Sequence, residues 1–238
     1  MPTLNLLYKD FYDINPFIRI QIPRVGDVLD HEDEYYGAVS ILTAMPVDMM
    51  VQLDDIGVDF STINEWELFL LLFSSLRAMD TSLIFGELDL SKFRPAVDTK
   101  TSEVILVDQD SGAKIDRLIY DQIGAVLRKI HNLKRNTRKP ANDEARKFMM
   151  QRARLKLKRS RKRASSSQLE ELIVAMVNSE QYHYGFEGTR GLTIYQFNES
   201  VRQVIKKTEY NNRMYGVYAG TVNPKELSQD DLNWLTHN

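Results

Sequence analysis

Cysteine is missing from all 238 residues, which removes disulfides, thiolate nucleophiles and thiolate metal ligands. Histidine is scarce as well. His31, His131, His183 and His237 stand far apart, without the close spacing of a zinc or iron site, so neither a metal nor another cofactor is expected. No apolar run exceeds six residues, far short of a membrane span. The opening stretch MPTLNLLYKDFYDINPF lacks the basic start, apolar middle and small-residue cleavage site of a secretory signal. A protein made and kept in a cytoplasm is the expectation. Catalytic signatures are missing too: there is no GxSxG nucleophile elbow and no GxxxxGK[ST] phosphate loop, so no enzyme is expected.

What the chain does have is ordinary globular composition, with 43% hydrophobic and 27% charged residues, enough to build a core. Its formal net charge of −2 conceals an uneven distribution. Residues 1–100 carry 17 acidic and 7 basic side chains, whereas residues 134–163 carry 14 basic and 2 acidic ones. Sectors of opposite sign attract, within one chain or between copies.

Hydrophobic periodicity predicts a mainly α, α+β architecture in three parts. The first, residues 1–133, is a helical lobe with a small β element. Ile18, Ile20 and Ile22 alternate with polar residues in a short edge strand ended by Pro23, and helical spacing follows from Val25 to Leu53. Ser61 to Asn64 offers caps to Glu65–Phe73, a helix apolar nearly all round that must be buried. Residues 80–99 look irregular but packed. Glu103–Val107, a turn at Asp110–Gly112 and Ala113–Asp116 form a hairpin, and Tyr120–Leu133 a further helix.

The second part, residues 134–164, is a basic connecting helix that starts near Pro140 with Asp143 and Glu144 in its first turn and runs through Arg163. Met149, Ala153 and Leu157 give it a thin apolar stripe. The third, residues 165–238, is a small helical lobe. Ser167 with Glu170 fits a capping box there, Gly185 to Gly191 reads as a turn, and Thr193 caps a helix whose Ile194, Phe197, Val201 and Ile205 share one face.

The basic part has three readings. Arg152, Arg154, Lys156, Lys158, Arg159, Arg161, Lys162 and Arg163 put eight cations into twelve residues, enough charge for a salt-dependent contact with nucleic acid. Phe148 is the one aromatic nearby, which leaves little to stack on single strands, and no recognition motif accompanies it. Lys158 to Arg163 also passes as a targeting signal. An exposed helix facing an acidic partner fits the acidic first hundred residues. Asp30 to Glu34 and Asp54-Asp55 are best explained as solvated helix ends, since they lack the alternating oxygen ligands of a calcium loop. The series Gly185, Gly188, Gly191 has the spacing of the nucleotide-clamping loop of KH domains, but Glu187 puts an acid where phosphate would approach.

Two regions carry a family resemblance. GLTIYQFNES at residues 191–200, then YNNRMYGVYAG at 210–220 and DLNW at 231–234, resemble the end of small proteins of the structural and tail-assembly group of tailed phages and prophages of Gram-positive bacteria. Residues 18–73, with EYYGAVSILTAMPVDMMVQLDDIGVDF followed by NEWELFLLLF, are similar to the same group. The resemblance implies a non-enzymatic morphogenesis protein acting in the host cytoplasm. A tail assembly chaperone that holds tape-measure and tail-tube proteins comes first, and a virion component at the neck, tail or baseplate, contacting neighbouring virion subunits, second. Nucleic-acid binding through the basic helix is a less favoured alternative, a homo-oligomer is a further option, and no membrane contact is expected. Tyr210, Met214, Tyr215, Tyr218, Leu232 and Trp234 are the candidate protein-contact residues.

Overall fold

The structure is a computed structural model that describes residues 5–160, 167–228 and 231–235. Two short strands, β1 (Phe11–Asp13) and β2 (Arg19–Gln21), pair antiparallel with Tyr12 opposite Ile20. Three helices follow: α1 (Val25–Asp30), α2 (Glu32–Leu42) and α3 (Met50–Asp55). α4 (Glu65–Leu76) begins at Asn64, whose side chain accepts from the Glu67 amide while the Glu67 carboxylate accepts from the Asn64 amide. Its Trp66, Leu68, Phe69, Phe73 and Leu76 are buried, but Leu71 in the middle of the apolar run is 44% exposed, so the helix is covered on most sides and not all round.

After α5 (Ser82–Phe85), β3 (Arg94–Val97), β4 (Val104–Val107) and β5 (Lys114–Ile115) form one antiparallel sheet with β4 in the centre. The expected hairpin is therefore two thirds of a three-stranded sheet. The third strand comes from residues that look irregular in sequence, because β3 is exposed along its whole length and contains Pro95, so it shows no alternation. Gly112 closes the β4–β5 turn at φ +73°, a left-handed conformation that favours glycine. α6 (Arg117–Ile130) starts on the Asp116 side chain and buries Tyr120, Ile123, Val126, Leu127 and Ile130.

α7 (Asp143–Ser160), α8 (Gln168–Val177), α9 (Phe186–Gly191) and α10 (Ile194–Tyr218) complete the fold. Ten helices and two small sheets among the described residues make it α+β, mainly α. One buried cluster joins Leu6, Ile18, Tyr35, Phe69 and Tyr120 to Ile173, Ile194 and Phe197. Backbone bonds reinforce it: Val25 N–H donates to Leu192 O and Ile194 N–H to Pro23 O. A second cluster, including Met45, Val47, Met50, Leu53, Phe60 and Leu68, lies under α7.

The glycine-rich stretch expected as a turn is helical. α9 lies so close to α1 that a Cβ on Gly26 would come within 2.6 Å of the Arg190 side chain, and Thr189 is wholly buried with its hydroxyl 3.0 Å from that of Tyr182. A glycine series inside a packed helix does not have the form of a nucleotide-clamping loop.

Candidate protein-contact surfaces

α7 is docked on the body by its inner side. Met149, Met150, Ala153 and Leu157 pack against the second cluster, and two of the helix's cations reach acids of the first hundred residues. Arg154 spans Asp54 at 2.7 Å and Asp55 at 2.9 Å, and Arg146 meets Asp59 at 3.1 Å. Hydrogen bonds that Arg154 donates to Asp54 and then Asp55 hold its guanidinium above its usual pKa, and the Ser61 amide and hydroxyl hold the Asp59 carboxyl below its own. Each of these pairs is about half exposed or a little less, so they orient the helix more than they stabilise it. The apolar stripe supplies the larger part of the attachment.

A stronger ionic contact sits where α4, α6 and the approach to α7 meet. Glu65, with 16% of its side chain exposed, accepts from Arg128 at 3.4 Å and from Arg135, whose pKa is raised by that hydrogen bond. Arg128 also donates to Thr43 O at 3.2 Å. Residues 131–142 are thereby tied to α4 before α7 begins. In sequence Glu65 looked like one more acid in a helix's first turn, and nothing in its neighbourhood announced the two arginines.

The acidic cluster Asp30 to Glu34 is more than a solvated helix end. Glu32 accepts from the Ser167 hydroxyl and, at 2.9 Å, from the Leu169 amide, so α2 caps the start of α8. Ser167 also accepts from the Glu170 amide at 2.9 Å. In the first turn of α8 the Glu170 amide is thus met by Ser167, and the Leu169 amide by Glu32 from α2. Asp30 meets Arg190 of α9 at 3.0 Å.

Of the candidate basic residues, Arg152, Lys156, Lys158 and Arg159 are exposed, and Arg154 is the one engaged by Asp54 and Asp55. Arg161, Lys162 and Arg163 lie outside the described residues, as does His237. On the outward side of α7, opposite the docked stripe, Phe148 and Leu155 are 59% and 57% exposed, and the Arg152 guanidinium lies 5.6 Å from the Phe148 ring centre. The sequence carried a signal for this pair in its seven-residue spacing, two turns of one helix side.

The candidate aromatic residues gather around the second half of α10. Thr193 caps this helix in a full box with Gln196, but buried positions end at Phe197, and Ile205 is 53% exposed where burial was expected. The chain beyond α10 returns along the helix. Val222 packs at Gly216, Asp231 pairs with Arg213 at 2.8 Å, Gln203 donates to Trp234 O at 3.3 Å, and Lys207 lies 5.2 Å over the Trp234 ring. Tyr210, Met214 and Trp234 are half-buried, while Tyr215 and Tyr218 are 71% and 80% exposed and Leu232 is 44% exposed.

This same stretch carries the relationship to known proteins. Residues 159–238 match the family model of the YomV second domain. That domain belongs to a Bacillus prophage protein, so the final third of the chain is similar to a phage-associated family. No curated protein and no solved structure matches the chain. No described helix is long and apolar enough to cross a membrane, and no group of three or more His, Asp or Glu side chains among the described residues is placed to hold a metal ion.

Proposed function

We propose that this protein is a non-enzymatic phage morphogenesis factor, and specifically a tail assembly chaperone that binds tape-measure or tail-tube protein before polymerisation in the host cytoplasm. The observation that carries the reading is a coincidence of place: the region similar to a phage-protein domain is also the one that leaves Tyr215, Tyr218 and Leu232 exposed around a helix end. Aromatic side chains presented singly on a rigid helix supply large contact area at small entropic cost, which suits capture of extended helical clients. A tagged chain expressed during phage infection is expected to recover tape-measure or tube protein. Replacing Tyr215 and Tyr218 by serine should reduce that recovery severalfold, and equal recovery by native and variant chains refutes the assignment of this surface.

A stoichiometric virion component is the second reading. The fixed attachment of α7 favours it, since a basic helix held on the body by its apolar stripe and oriented by Arg146 and Arg154 suits a permanent contact between subunits. Presence of the chain in mature particles at constant stoichiometry selects it over the chaperone. The third reading, nucleic-acid binding by α7, predicts salt-dependent affinity for random duplex, and no binding at about 50 mM salt removes it.

A further inference from the structure

We infer that the outward side of α7 is a docking surface for an acidic amphipathic helix of a partner protein. The inference rests on the reading of this chain as a protein-binding protein and names the chemistry of one partner.

The inner side of α7 already shows what this helix takes. α3, with the sequence MVQLDD, lies against it, placing Met50, Val51 and Leu53 in the cluster that Met149, Met150, Ala153 and Leu157 cover, while Asp54 and Asp55 take Arg154. The outward side repeats the composition. Phe148 and Leu155 stand two turns apart, about 10 Å along the axis, with exposed Lys147, Arg152, Lys158 and Arg159 around them and one acid, Glu144, a turn before Phe148. A helix with apolar side chains at i, i+3 and i+7 and carboxylates on either flank would cover both apolar groups and meet the cations, as α3 does inside.

Nucleic acid fits this surface less well. Phosphates match the cations but leave Phe148 and Leu155 uncovered at the centre, and the Arg152 guanidinium already lies over the Phe148 ring, where a base would stack. An anionic bilayer would take both kinds of group, but two apolar side chains give a shallow insertion.

Fluorescence anisotropy with the full chain tests the surface. The probe is a labelled helical peptide with leucines at i, i+3 and i+7 flanked by glutamates. It is compared with its scrambled sequence, a random DNA duplex, and vesicles of phosphatidylserine and phosphatidylcholine. Binding is expected for the patterned peptide above all three. The double variant Phe148→Ala/Leu155→Ala should weaken it by about tenfold or more, because both side chains are buried only on binding. Arg152→Glu/Arg159→Glu should weaken it and flatten its dependence on salt. All four positions are exposed, and circular dichroism melts matching the native chain verify the fold. Equal affinity for the scrambled peptide, tighter binding to duplex or vesicles, or no effect of Phe148→Ala/Leu155→Ala overturns the inference. If the patterned peptide fails to bind while the native chain still recovers tape-measure or tube protein from infected cells, this surface is wrong while the assembly role stands.

Discussion

Acidification should loosen this fold through one residue, His131. Its ring closes α6 and packs against both Tyr35 and Tyr36 of α2, with ring centres 5.5 and 5.7 Å away. Tyr35 Oη is 3.0 Å from Nε2, and Asn198 Nδ2 is 3.4 Å from Nδ1. Asn198 Nδ2 also donates to Ile130 O at 2.9 Å, which fixes the amide with its N–H side toward the imidazole. Nδ1 is therefore the acceptor, Nε2 carries the single proton toward Tyr35, and a second proton on Nδ1 would set donor against donor. Burial holds the His131 pKa down at about 4, against 6.5 for a free histidine. The unfolded chain thus binds a proton more readily than the folded one. This contribution to stability is intact above pH ~6.5 and falls as pH drops toward 4. By linkage the loss is about 2 kcal/mol at pH 5 and about 3 kcal/mol below pH ~4. For a chain of this size 2 kcal/mol lowers the melting temperature by roughly 4 to 8 °C. Thermal melts of the native chain and of His131→Gln between pH 7 and pH 5 isolate the effect, because the remaining titrating groups are shared. The variant should start less stable and lose less on acidification. Parallel curves for the two proteins refute the argument.

Further expectations concern the contacts that position α7 and α8. Glu65→Ala strands the largely buried Arg128 cation and should destabilise the fold by about 3 kcal/mol in urea unfolding. Glu32→Ala should cost about 1 kcal/mol and speed hydrogen exchange at the Leu169 amide, with little change at α4. Ala153→Asp puts a charge into the α7 attachment and should expose Arg152 to Arg159 to limited trypsin digestion well below the global melting point. If duplex DNA does bind through Arg152, Lys156, Lys158 and Arg159, the plot of log affinity against log salt should have a slope near −4, and a flat plot removes those contacts.

Sequence carried much of this architecture where local chemistry decides it. Asn64 with Glu67 and Thr193 with Gln196 are caps complete within four residues, and the apolar run of α4 has no stable place except a core. The stripe Met149, Ala153, Leu157 also marked the side by which α7 docks. What stayed hidden depends on partners distant in the chain. Glu32 satisfies an amide 137 positions later, Glu65 gathers arginines from α6 and from the stretch after it, Gly188 of α9 lies against Tyr184, and Gly26 of α1 lies against Arg190. Ile205 has the right period for burial, but periodicity cannot say that full burial ends two turns earlier, with Val201 and Val204 only partly covered.

The 25 residues of α10 span about 37 Å, more than its packed first turns require. Among the described residues its outer half is a cantilever, braced along one flank by Val222, Asp231 and Trp234. Such a beam transmits force at its tip to its root, and the root is where Asn198 touches His131 and Phe197 enters the core. A partner pulling on Tyr215 or Tyr218 would load that junction first.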